Sequence, residues 1–169
     1  MYEIGSLVVY GSEGVCKVTE IVENSFSNME DTRKYYVLAQ ISNPAYKVFV
    51  PCDNENLVSR MQRILSAEEI ADMIRESNEL PEWISDNKLR TKTFREIMQT
   101  YDRKKILALA KLLYITKSNL TDKKKLFASD EELLKKIIRI LHSEFSLVYE
   151  IEADQVIPFI FGEIECKAK

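Results

Sequence analysis

The chain has 169 residues, 46% hydrophobic and 30% charged, with four glycines and four prolines, which suffices for a buried core in one domain or two small ones and argues against a disordered protein. Met1-Tyr2-Glu3 has no apolar run behind it, and the most apolar helical stretch, Ile106 to Ile115, is broken by Lys111, so neither a secretory leader nor a membrane span is expected. A net charge of -3 sets nucleic acid aside at first sight, and Cys16, Cys52 and Cys166, at unrelated spacings, suit a reducing cytoplasm better than a disulfide framework.

From Ser6 to Val58 the chain shows short β-branched or aromatic runs separated by turn signals: "SLVVY", "VCKVTEIV", "KYYVLAQI", "YKVFVP" and "NLV". Gly11 and Gly14 flank Ser12-Glu13 at one turn, "NSFSNMEDT" is a polar loop, and Asn43-Pro44 marks another turn. Five short consecutive strands predict a small curled antiparallel sheet or SH3-like barrel over residues 1–60, because a flat sheet of that size buries too little of its apolar face. Tyr35 and Tyr36 alternate across the third strand, which directs one into the core and the other outward.

The period becomes helical at Ser66. "SAEE" is a capping box, and Ile70, Met73 and Ile74 follow on one face of a helix ending near Ser77. After Pro81, Ser85 or Asp86 caps a second helix to about Thr100, with Leu89, Thr93, Phe94, Ile97, Met98 and Tyr101 inward and Lys88, Arg90, Lys92 and Arg95 toward solvent. Asp102 caps a third helix. Thr121 or Ser129 opens a long fourth one with an apolar stripe from Leu133 to Val148, and a last short helix starts at Ala153 although Pro158 falls inside it. Residues 66–169 therefore form a compact all-α domain of about five helices, and the fold class is α+β with two domains.

Charge is patterned along this plan. Residues 1–60 hold 5 basic and 8 acidic side chains (-3), residues 61–87 hold 2 and 7 (-5), residues 88–125 hold 12 and 3 (+9), and residues 126–169 hold 5 and 9 (-4). The basic middle segment is the part suited to a phosphate backbone, unless its lysines are only solvated helix faces.

The inventory for catalysis is thin. His142 is the only histidine and sits inside the long helix, the cysteines lie in strands or apart from it, and "GSEG" lacks the Lys-Ser/Thr of a phosphate loop. Structural zinc needs about four Cys or His ligands, and the four available are scattered. No enzyme activity, cofactor, metal or small-molecule substrate is expected. The lone tryptophan, Trp83 in "LPEWISDNKLRTK", lies between acidic residues and the basic run. On its residues alone it either staples two helices or meets a partner at the edge of a basic face.

"IGSLVVYGSEGVCKV", then "YYVL", "VPCDN" and "EW" after the first helix resemble the CarD/CdnL transcription regulators of bacteria, whose N-terminal module also occurs in the transcription-repair coupling factor. The resemblance extends over essentially the whole length. It implies a cytoplasmic, non-enzymatic factor with a Tudor-like N-terminal domain that docks on the RNA polymerase β subunit; separately, oligomeric state is left open by the sequence, a monomer being the expectation. The helical domain would lie against promoter DNA near the -10 element, at the upstream edge of the bubble, stabilising the open promoter complex. Trp83 matches the family tryptophan that wedges into the minor groove, a use of apolar side chains known from other minor-groove proteins. Lys88, Arg90, Lys92 and Arg95 would then contact DNA phosphates, and Lys47, Phe49, Arg60 and Tyr36 would serve the polymerase contact.

This chain departs from the family pattern in places. Gly11, Glu13 and Cys16 replace the usual first-turn residues, Ile84, Ser85 and Asp86 stand where arginines often follow the tryptophan, and Phe49 lies near a position that relatives fill with a basic residue. Two other functions fit the residues: a protein-protein adaptor that uses the barrel edge with a scaffold helical domain, and a standalone single-stranded nucleic-acid binder in which Trp83 and Tyr101 stack on bases. Activation and repression are equally compatible with a stabilised open complex.

Overall fold

The computed structural model describes residues 2–24, 32–120 and 125–169. Most of the polar loop expected at 24–32, and Thr121 as a helix cap, lie outside them. The chain divides into two compact units, one up to Ile64 and one from Leu65 to Lys169.

In the first unit, β1 (Leu7–Tyr10), β2 (Val15–Asn24), β3 (Arg33–Gln40), β4 (Lys47–Pro51) and β5 (Met61–Arg63) form one sheet in the order β4-β3-β2-β1-β5. Every neighbouring pair is antiparallel. The Gly11–Glu13 turn between β1 and β2 is a 3-10 turn, and the glycines at its start and just past its end take φ of 50° and 74°, a region open to residues without a Cβ. A bulge between Val18 and Glu20 keeps β2 in register with β3. Val8, Cys16, Val18, Tyr36, Leu38, Val50 and Met61 build one core cluster.

The structure corrects one expected strand. "NLV" is helical, within α1 (Glu55–Val58), because the Asn54 side chain accepts the backbone N–H of Leu57 at 3.1 Å and closes a helical turn. The fifth strand is instead Met61–Arg63, which pairs with β1 and carries the unit past residue 60.

The second unit is helical: α2 (Ala67–Glu76), α3 (Asn87–Gln99), α4 (Arg103–Ser118), α5 (Ala128–Val148) and α6 (Val156–Ile160). The capping box at Ser66 and Glu69 forms as expected, Asp86 rather than Ser85 caps α3, and Asp102 caps α4. Ser129 does not cap α5; it lies inside a helix that starts at Ala128. Pro158 is tolerated because it is the third residue of α6, where a backbone N–H has no intrahelical acceptor to lose. α4 packs against α2, α3 and α5, and its eight buried residues run without interruption from Ile106 to Leu113. Lys111 therefore belongs to the interior. Its Nζ donates to the carbonyls of Ile74 at 2.9 Å and Ser77 at 3.0 Å, satisfying the C-terminal end of α2. Loss of hydration pushes its pKa down.

Candidate functional site

Trp83 sits in the segment that joins α2 to α3, half-buried, packed against the helical core. Its ring centroid is 6.2 Å from that of Phe94, inclined at 60°. The other support is Arg90, whose guanidinium carbon lies 4.6 Å from the indole centroid and 5.1 Å from that of Phe127. This cation–aromatic stack is worth about 0.5–2 kcal/mol per contact, the upper end applying where water is excluded.

Arg90 was expected toward solvent as a DNA contact, and the structure corrects that: it is 1% exposed. Its Nε and Nη2 donate to Asp130 Oδ2 at 3.0 and 2.8 Å, and Nη2 also donates to Asn87 Oδ1 at 2.9 Å. Nη1 donates to the carbonyls of Ile84 at 2.8 Å and Ser85 at 3.3 Å, the two residues directly after the tryptophan. All of this binds the α2–α3 segment to the first turn of α5, and no donor is left to grip a phosphate. The reason is compensation: Asp130, itself 1% exposed, makes burial of the guanidinium tolerable. Leu89, expected inward, is correspondingly 53% exposed.

Lys88, Lys92 and Arg95 stand on the exposed side of α3 as expected. Lys92 is 3.9 Å from Glu96, with both side chains largely in solvent, a pair of little energetic weight. The structure thus brings Trp83 and Arg90 together as an anchored platform and leaves three of the four basic residues at the surface of the same helix. Phe127 and Asp130 are the members that sequence reasoning missed; nothing local marks them, since they lie some 40 residues from Arg90.

In the sheet unit, the proposed polymerase contacts separate. Tyr36 is 3% exposed, and its ring meets Tyr2 edge-on at 6.2 Å while the Tyr2 hydroxyl donates to the Met61 carbonyl. It is a core residue and offers nothing to a partner; Tyr35 is the half-exposed one of the pair. Lys47 and Phe49 lie on β4, an edge strand, opposite Ala39 and Val37 of β3. Lys47 Nζ is 3.2 Å from Glu20, a solvated pair, and Phe49 is 43% exposed, as are Ile41 at 44% and Tyr46 at 46% just before the strand. Arg60 is half-exposed beyond α1.

Among the described residues no group of three or more His, Cys, Asp or Glu side chains could hold a metal ion, and no helix is long and apolar enough to cross a membrane. His142 places Nε2 3.1 Å from the Ile151 carbonyl. Burial, and then the Glu13 charge, push the Cys16 thiol up to about 11.

The chain thus joins a small antiparallel sheet, whose border strand β4 carries exposed Lys47 and Phe49, to a helical unit that holds a propped aromatic. Residues 2–65 match the CarD-like/TRCF RID domain family, so the sheet unit is a domain of that kind and the protein is an RNA polymerase-interacting, transcription-related one. The match ends at residue 65, where the helical unit begins. No curated protein matches the chain.

Proposed function

We propose that this protein is a non-enzymatic transcription regulator that engages the RNA polymerase β subunit through its sheet unit and promoter DNA through its helical unit, with Trp83 placed at the upstream edge of the bubble so that the open complex is stabilised. The observation that carries the reading is the domain match over residues 2–65, which accounts for the polymerase. The DNA half is supported by Trp83, which is neither fully buried nor loose, and by exposed Lys88, Lys92 and Arg95 on the helix that follows it. An indole already held by Arg90 loses little conformational freedom on meeting a base step, and at the edge of an open bubble the unstacking cost of a few kcal/mol is partly met beforehand.

Base–aromatic stacking is worth about 1–3 kcal/mol by alanine substitution, and about 1.4 kcal/mol is tenfold. Trp83→Ala should shorten the lifetime of the polymerase open complex on the order of tenfold. Trp83→Phe keeps an aromatic face on Arg90 and should retain most of the melting temperature while losing part of the lifetime. If both variants leave the lifetime unchanged on a promoter that responds to the wild type, the indole belongs to packing alone.

A further inference from the structure

Counted by sequence, the stretch from 126 to 169 is acidic, yet α5 presents a basic ridge. Of its four acids, Asp130 is neutralised by Arg90, Glu144 by Arg103 at 3.0 Å, and Glu131 by Lys117 at 3.0 Å. Only Glu132 remains without a close cation, against Lys135, Lys136 and Arg139, of which Lys135 also lends its charge to Glu131. Leu134, Ile137, Leu141 and Phe145 take the buried face of the helix, which turns those three cations away from the core.

Between this ridge and α3 lies a groove of about 490 Å³, with Met98 and Leu133 along it and Arg95, Lys135, Lys136 and Arg139 as its cations. Glu132 lines it too, and so does the paired Asp130.

We propose that this groove is a second contact for DNA, one that holds backbone phosphates of the duplex; the proposal rests on the DNA reading above. Three features favour a backbone over a compact phosphorylated metabolite. The four cations are exposed, whereas a small-molecule site converges a few buried polar groups on one point. Lys135 and Arg139 are one helical turn apart, about 6 Å at 1.5 Å per residue, so with their long side chains they can reach separate phosphates of one strand. Their long flexible stems suit sequence-independent charge neutralisation rather than base reading. The groove also borders Asp130, the carboxylate of the Arg90 anchor, so the helix that would hold a duplex, α5, is the one that supports Trp83.

The test is fluorescence anisotropy of the full chain with a labelled duplex across a salt series from low ionic strength. Lys135→Ala/Lys136→Ala/Arg139→Ala should reduce the slope of log affinity against log salt by about 2–3 units and weaken low-salt binding on the order of tenfold or more. A charge-matched control, Lys17→Ala/Lys34→Ala/Lys167→Ala, should change the slope little, and both variants should keep the wild-type melting temperature. A slope unchanged by the triple α5 variant but lowered by Lys88→Ala/Lys92→Ala overturns the groove and leaves the DNA reading intact. Absence of duplex binding by the wild type even at low salt overturns the groove; if Trp83→Ala also leaves open-complex lifetime unchanged, the DNA reading fails with it. Displacement of the duplex by micromolar inorganic tripolyphosphate, with no slope change in the variant, assigns the groove to a small phosphoanion and overturns the backbone contact.

Discussion

Removing one half of the Arg90–Asp130 pair should be among the most damaging single changes available in the helical unit. Asp130→Asn keeps the size of the side chain and an acceptor oxygen but leaves a guanidinium that is 1% exposed without its counter-charge. Breaking a buried pair from one side costs about 3–5 kcal/mol, because the surviving charge stays desolvated. Each kcal/mol moves the melting temperature by roughly 4–8 °C in a domain of about 100 residues, so a fall of roughly 12 °C or more is expected for the unit from Leu65 to Lys169. Arg90→Met removes the pair from the other side and also strips the Ile84 and Ser85 carbonyls of their donor, so its cost should be similar. The double variant should cost less than the sum of the single ones by about 1–3 kcal/mol, since each single change leaves an unpaired group that the double does not. The chain contains one tryptophan, and it touches this arginine, so intrinsic fluorescence reports the site directly during urea unfolding. A cost below about 1 kcal/mol for Asp130→Asn, or additive single variants, would refute the argument that the pair organises the α2–α3 segment.

Lys47→Glu and Phe49→Ser alter exposed side chains on the β4 edge, so each should weaken binding to a polymerase β-subunit fragment while leaving melting of the sheet unit within a few degrees; calorimetric titration of both variants checks this. Lys111 is a buried base with a depressed pKa, so the unfolded chain binds more protons than the folded one between the depressed value and 10.5. Wild-type stability should therefore rise relative to Lys111→Met as pH climbs through that window, which urea titrations at a series of alkaline pH values will show. With its pKa near 11, Cys16 should resist thiol reagents at pH 8 in the folded protein and react once urea unfolds it, read by mass spectrometry of labelled peptides.

Much of the fold was legible because it is written locally. Ser66 and Glu69, Asp86, and Asp102 each announce a helix start within four residues, and the alternation in β3 fixes which of Tyr35 and Tyr36 faces inward once either is placed. "NLV" carried too little pattern to separate a turn of helix from a strand, and the decision was made by Asn54, one side chain upstream of the segment. The site was less legible for a different reason. Arg90 and Lys111 are charged residues on faces that periodicity alone would hand to solvent, and both are buried because acceptors arrive from elsewhere in the fold: a carboxylate on α5, and the carbonyls ending α2. Neither partner lies within the sequence window that helical periodicity samples. The α5 ridge was hidden by the same kind of distance, since its acids are cancelled by Arg90, Arg103 and Lys117, all outside the segment being summed.

The strand order of the sheet ends in two border strands, β4 and β5, and each is built against association with its own kind. β5 is only three residues long, too short to template another chain. β4 is longer, but Pro51 closes it with a residue that has no N–H to donate, and Lys47 sets a cation at the other end. A second copy brought alongside in antiparallel or parallel register meets the missing donor or a repeated positive charge, whereas a foreign strand with an acid in place and no need of that last hydrogen bond does not. The same few residues that carry the proposed polymerase contact thus also discourage aggregation, and replacing Pro51 with valine would open the border to self-association.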